Sequence, residues 1–160
     1  MKIFLVVGSL FPFDRLVKEI DQWAALQENI NVIGQIGYGK YKPESIQAVP
    51  LLEAGEFNRI FSESDLIITH AGMGIILKSL VVGKPIVVLP RKLQLKEVNT
   101  DHQMATAKAL DKMNYIHVAW DNEELLEYLK EPAAIASKIT IGEYASETFI
   151  ENLRQFISDN

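Results

Sequence analysis

Leu66-Ile67-Ile68-Thr69-His70-Ala71-Gly72-Met73-Gly74-Ile75-Ile76 is the stretch that decides the architecture. Leu66–Thr69 is a short, nearly continuous apolar run and reads as a buried strand. His70 to Gly74 is a glycine turn. From about Gly74 to Val82 the residues are apolar almost all round, the pattern of a buried helix. A strand, a glycine turn and a helix in succession are the unit of a parallel sheet. Glycines at such a turn let a ligand approach the backbone. The free N–H groups of the helix start, together with its dipole, favour a phosphate. The spacing is Gly-x-Gly only. Leu77 stands where the dinucleotide fingerprint would place a third glycine, and no Gly-Lys-Ser/Thr follows. A tight strand-to-helix turn without a ligand accounts for the same residues.

Outward from this unit the alternation continues. Ile3–Val7, Ile30–Ile33, Ile86–Leu89 and Ile116–Ala119 read as further strands, near-continuously apolar as in a sheet covered on both faces. Phe13, Leu16, Val17, Ile20 and Ala24 mark one helical face, and Phe57, Ile60 and Phe61 another. Further helices are expected from near Thr100 to near Lys112 and over Asp121–Lys130, the latter opened by Asp121 and Glu124 as a capping box. Ala145, Phe149, Leu153 and Phe156/Ile157 give a strongly amphipathic C-terminal helix over about 143–158. The expectation is an α/β fold with a Rossmann-like, doubly wound parallel sheet, in one domain over 1–160. Gly34–Glu44 and Pro90–Asn99 are the least regular stretches, and long loops in compact domains are often functional.

Composition excludes several classes. Among 160 residues there are no cysteines, so disulfide frameworks and cysteine–zinc sites are out. Sixteen basic against 21 acidic residues leave a net charge of −5 without a basic block, which argues against nucleic acid. No apolar run has membrane-spanning length. Met1–Gly8 begins like a leader but ends in a glycine turn without a small-residue cleavage site, and reads as a first strand.

Two more segments carry chemistry. Gly8-Ser9 ends the first strand as His70 ends its own, and the C-terminal ends of parallel strands line one crevice. Pro90-Arg91 belongs to the same edge, and Arg91, Lys92 and Lys96 together could neutralise a diphosphate or simply be solvated. Asn99-Thr100-Asp101-His102-Gln103 could hydrogen-bond a sugar or ribose. Thr100 and Gln103 also have capping-box spacing, and Asp101 suits a first helical turn. His70 and His102 lie in these segments. A third metal ligand at a recognisable spacing is missing, so no metal site is expected. Lys84, after Gly83, reads as a helix C-terminal charge.

The blocks His70-Ala71-Gly72-Met73-Gly74, Gly83-Lys84-Pro85-Ile86-Val87-Val88-Leu89-Pro90-Arg91 and Asn99-Thr100-Asp101-His102-Gln103, in this order, resemble the C-terminal, donor-binding half of family 28 glycosyltransferases. With Val7-Gly8-Ser9 and Pro12-Phe13-Asp14-Arg15-Leu16 before them, they are similar to the stand-alone Alg13/PssE-like subunits of the exopolysaccharide and capsule branch. The resemblance implies a single lobe of a GT-B enzyme. It implies a UDP-sugar donor, and a membrane-anchored Alg14-like subunit that brings a polyprenyl-diphosphate-linked saccharide acceptor. Transfer would invert the sugar and need no cofactor or metal. The chain would be cytoplasmic, held at the inner face of the membrane by its partner, and able to self-associate in isolation. By position, Gly8 and Ser9 would approach the phosphates or the transferred sugar. Gly72, Met73 and Gly74 would receive the diphosphate, and Arg91 would border the nucleotide. Asp101, His102 and Gln103 would face the sugar. The catalytic base would come from the partner, with His70 the candidate within the chain. Lys78 stands where many members carry a ribose-binding glutamate, and lysine accepts no hydrogen bond. A non-catalytic nucleotide- or partner-binding module of the same fold is the alternative.

Overall fold

A computed structural model describes residues 1–144 and 147–158, without the side chains of 149, 153, 156 and 158. Six parallel strands form one sheet: β1 (Lys2–Val6), β2 (Asn31–Gln35), β3 (Gln47–Val49), β4 (Leu66–Thr69), β5 (Ile86–Val88) and β6 (His117–Val118). Their order is β3-β2-β1-β4-β5-β6. The chain winds outward from β1 to β3, returns to the other side of β1 at β4, and winds outward again. This is the doubly wound arrangement expected from the sequence, with its switch point between β1 and β4.

Alternation along the strands builds two cores. Ile3, Leu5, Val7, Leu66, Ile68, Val87 and Leu89 face one side. They pack there against α1 (Asp14–Ala24) through Phe13, Leu16, Val17 and Ile20, and against α5 (Asn122–Tyr128) through Leu125. Phe4, Val6, Ile67, Ile86 and Val88 face the other. They meet α2 (Ala54–Glu63), α3 (Met73–Val81) and α4 (His102–Lys112) through Ile60, Phe61, Ile76, Leu80 and Ala107. Asp121 caps α5 by accepting from the Glu124 N–H at 2.9 Å, and the Glu124 carboxylate accepts from the Trp120 N–H at 3.0 Å, so the expected cap forms one residue wider than a strict box.

The edges differ from expectation for physical reasons. β3 was not expected: three residues, exposed on both sides of Ala48, give no apolar run. β2 runs on through Gly34 and Gln35, where the buried Gln35 side chain accepts from the Leu52 N–H at 3.1 Å. Thr100 and Gln103 do not form a capping box; α4 starts at His102 with Asp101 as an N-cap that makes no side-chain bond. Lys84 serves α2 rather than the helix it follows, donating to the Ser62 and Ser64 carbonyls at 3.0 and 2.6 Å.

α6 (Glu147–Ser158) closes the described chain. Of its expected apolar face, Ala145 and the side chains of Phe149, Leu153 and Phe156 lie outside the described residues, and Ile157 is exposed. No described helix is long and apolar enough to cross a membrane.

Candidate functional site

At the C-terminal edge of the sheet, beside the β1–β4 switch point, lies a cavity of about 500 Å³. Gly8, Ser9, Leu10 and Phe11 line it from the loop after β1. His70 lines it after β4, Arg91 after β5, and Val98, Asn99, Thr100, His102 and Gln103 around the start of α4. Six of the ten residues singled out from the sequence therefore meet here: Gly8, Ser9, His70, Arg91, His102 and Gln103. Gly72, Met73 and Gly74 follow His70 at the start of α3, outside the cavity lining. Asp101 is exposed and also outside it, although both its neighbours line the wall.

The glycines are shaped by His70. Gly8 has φ +71°, and a Cβ there would stand 3.0 Å from His70 Cε1. A Cβ on Gly72 would stand 2.5 Å from His70 Nε2. The imidazole is thus wedged between two turns: at Gly8 the positive φ favours glycine, and at Gly72 a side chain would have to displace the ring. A Cβ on Gly74 would meet nothing within 4 Å, so that position faces open space. The first turn of α3 carries no side-chain cap, and its leading N–H groups are free to meet an anion.

Hydrogen bonding fixes the state of His70. Thr69 Oγ1 donates to the Val6 carbonyl at 2.6 Å, so it can only accept from His70 Nδ1, 3.3 Å away. The ring is then the Nδ1–H tautomer, with the Nε2 lone pair between the two glycines. Burial, and secondarily the Arg91 charge, lower its pKa to about 4. His70 is neutral at physiological pH and a weak base.

This carries a pH prediction. A folded-state pKa near 4, against 6.5 for the free side chain, gives stability that is complete above pH 6.5 and falls as pH drops toward 4. The loss on that branch is on the order of 2–3 kcal/mol. His117, lowered chiefly by burial, adds a smaller slope of the same sign. Urea unfolding between pH 7.5 and 4.5 should show a flatter pH dependence for His70→Gln than for the parent. Equal slopes would contradict the assignment.

Arg91 is 3% exposed. Its Nη2 donates to the Val7 and Phe11 carbonyls at 2.6 and 2.5 Å, and its guanidinium lies 4.9 Å from the Phe13 ring centre. Its backbone N–H donates to Gln103 Oε1 at 3.2 Å. Burial lowers its pKa to about 10, with Glu97 opposing, and it stays charged at neutral pH. Lys92 and Lys96 do not join it: they sit in a short turn with exposed Leu93 and Leu95, and Lys96 adopts φ 57°.

The Pro90–Asn99 loop is pinned by a pair that the sequence reading did not identify. Arg15 grips Glu97 with Nε at 2.7 Å and Nη2 at 2.9 Å, and also reaches the Pro90 carbonyl and Asn122. Glu97 in turn accepts from the Lys92 N–H. Leu10, Phe11 and Val98 were likewise missed as lining residues, since nothing in a lone apolar side chain marks it as a cavity wall.

Lys78 turns away from the cavity. Its ammonium bonds Asn58 on α2 and lies 4.8 and 5.2 Å from the Phe61 and Phe57 ring centres. No cluster of metal-binding side chains exists among the described residues.

Against known proteins, the glycosyltransferase family 28 C-terminal domain matches residues 2–152. A UDP-N-acetylglucosamine--N-acetylmuramyl-(pentapeptide) pyrophosphoryl-undecaprenol N-acetylglucosamine transferase of Flavobacterium psychrophilum is 28% identical over 68% of the chain, which spans 30% of that enzyme. The UDP-N-acetylglucosamine transferase subunit ALG13 of Yarrowia lipolytica is 25% identical over 78% of the chain and 68% of the subunit. The solution structure of ALG13 superposes with a TM-score of 0.57 at 18% identity, over 95% of this chain and 94% of that one. The six-stranded sheet is thus a single Rossmann-like lobe of the GT-B kind, and the chain belongs to the family of glycosyltransferase family 28 C-terminal domains.

Proposed function

We propose that the chain is the donor-binding subunit of an inverting UDP-sugar glycosyltransferase. One observation carries this reading: the uncapped start of α3 and the two glycine turns around His70 stand at the switch point, beside a cavity whose described lining holds a buried guanidinium and no carboxylate. A site that is locally positive in a chain of net charge −5 suits a diphosphate. Its volume of about 500 Å³ suits a small organic ligand. The α3 N–H groups would stabilise the departing UDP as the bond from the anomeric carbon to the diphosphate breaks. The acceptor hydroxyl would attack the opposite face, giving up its proton to a base outside this chain, because a neutral His70 with a pKa near 4 is a poor one. No metal is part of the scheme.

The finer reading follows the relatives' names. Both are UDP-N-acetylglucosamine transferases, one acting on a pyrophosphoryl-undecaprenol and one called a subunit. We assign this chain a polyprenyl-diphosphate-linked saccharide acceptor and an Alg14-like, membrane-anchored partner; the exopolysaccharide or capsule setting rests on the resemblance of the sequence blocks and not on these names. That partner would hold it at the inner face of the membrane. Co-expression with such a subunit, followed by transfer assays with UDP-galactose, UDP-glucose, UDP-glucuronate and UDP-N-acetylglucosamine, tests this. Transfer from one of them supports it. UDP binding without transfer from any of the four favours a non-catalytic module, a reading to which Lys78, committed to Asn58, lends some support.

Gln103 tests the sugar end. Its carbonyl oxygen is taken by the Arg91 N–H, which leaves the amide nitrogen to meet the donor. Gln103→Ala should weaken binding of the productive UDP-sugar about tenfold, one hydrogen bond's worth, and leave UDP binding within about twofold. Equal losses for both ligands by calorimetry would move Gln103 away from the sugar.

A further inference from the structure

Arg91 sits in the middle of the site, yet one of its terminal nitrogens is spent on the chain's own backbone. The two protons of Nη2 go to Val7 O and Phe11 O, the carbonyls at the two ends of one loop. Between them lie Gly8, Ser9 and Leu10, which make no other hydrogen bond among the described residues. Leu10 is 88% exposed. Without the guanidinium this arch would be tied only by its chain ends.

The geometry is expensive for a residue that merely fills space. A buried charge with no carboxylate on it is costly, and Arg91 Nε is buried without any partner. A methionine would pack on Phe13 without either penalty. What methionine could not do is hold two carbonyls on one nitrogen; the backbone N–H that holds Gln103 would remain with either residue.

We propose that Arg91 is a positioning residue: its side chain clasps the Val7–Phe11 loop so that Gly8 stands against His70 and Ser9 lines the donor cavity, while its backbone N–H holds Gln103. The significance for the donor rests on the UDP-sugar reading; the clasp itself does not. Arg91 acts through the loop rather than by touching the donor. Lysine would replace it poorly, because its ammonium lacks the planar guanidinium that lies against the Phe13 ring and fixes the directions of the two Nη2 protons.

The test uses the whole chain. Backbone 15N relaxation over residues 6–13 is followed without ligand in the parent, Arg91→Lys and Arg91→Met, with residues 41–46 as internal reference. The Ser9 and Leu10 amides, which make no hydrogen bond among the described residues, should have order parameters of about 0.8 in the parent and about 0.6 or below in both variants, while the reference is unchanged. UDP affinity should fall at least tenfold, more for Met than for Lys, and added methylguanidinium should recover part of it in Arg91→Ala. Where a variant does not fold, the parent alone decides: the Arg91 Nη2 protons should exchange slowly with solvent and rotate slowly about Cζ–Nη2. Fast Nη2 exchange, or a loop unchanged by the substitutions, overturns the clasp. Lost UDP affinity with an unchanged loop also overturns it, and would make Arg91 a direct ligand. A parent that binds no UDP refutes the donor reading and leaves the loop-ordering result standing.

Discussion

Gly72→Asp lowers UDP affinity at least a hundredfold and leaves the domain folded. Two effects act together. A Cβ at position 72 meets His70 Nε2 at 2.5 Å, so the imidazole must move from its wedge between the turns. The carboxylate then occupies the N-cap position of α3, where φ −92° and ψ 122° suit any residue. An N-cap aspartate accepts from the next N–H groups of the helix, the donors that a diphosphate would otherwise use, and repels that diphosphate. The same cap stabilises α3, which is why the fold survives. A hundredfold loss is about 2.7 kcal/mol, within reach of one repulsive charge and two lost hydrogen bonds. Gly72→Ala separates the terms, because it displaces His70 without adding charge, and should cost about tenfold. Calorimetry with a thermal melt on each variant checks both. An undiminished affinity in Gly72→Asp would remove α3 from the site.

Asp21→Ala is the largest stability change expected outside the sheet. Asp21 is 4% exposed and is an acceptor for a whole segment. It takes the Tyr41 hydroxyl at 2.8 Å and the N–H groups of Ser45, Glu44 and Ile46 at 2.7 to 3.2 Å. Burial alone would raise its pKa; Tyr41 and the three N–H groups outweigh burial and hold it below 3.8. The folded state therefore keeps the carboxylate ionised. Its contribution is present above the ordinary aspartate range and is lost only as pH falls below it, a window more acidic than that of His70. Alanine leaves several donors without a partner, and the cost should be about 3–5 kcal/mol in urea unfolding at pH 7. Tyr41→Phe, which removes one bond, should cost about 1 kcal/mol. A loss below about 1 kcal/mol in Asp21→Ala would show that water replaces the network.

Asp21 also marks where sequence reading stops. The strands around the switch point were legible because Ile3 to Val7 and Leu66 to Ile68 are buried on both faces and have no polar residue to interrupt them. β3 is held to β2 by backbone pairing and follows a segment pinned by Asp21. A carboxylate on α1 that organises a segment more than twenty residues away leaves no periodic trace. In the site, glycine turns after strands were legible for the same reason the strands were. Arg91 was legible as a residue of the crevice but not in its orientation. Whether an arginine in a basic loop is solvated or buried depends on where the Val7 and Phe11 carbonyls fall, and that is set by tertiary structure. Gln103 fitted a capping box equally well until the Arg91 N–H claimed its oxygen.

The cavity, the glycine turns and the start of α3 all bear on one claim, that this lobe holds a uridine diphosphate group at the β1–β4 switch point. Calorimetric titration of the chain with UDP in excess chelator, with NAD as the control, tests it most directly. The account predicts one UDP per chain with a Kd between about 10 μM and 1 mM, no comparable heat from NAD, and loss of the signal in Gly72→Asp. Absence of UDP binding by a folded chain at about 5 mM ligand, or binding indifferent to Gly72→Asp, would contradict it.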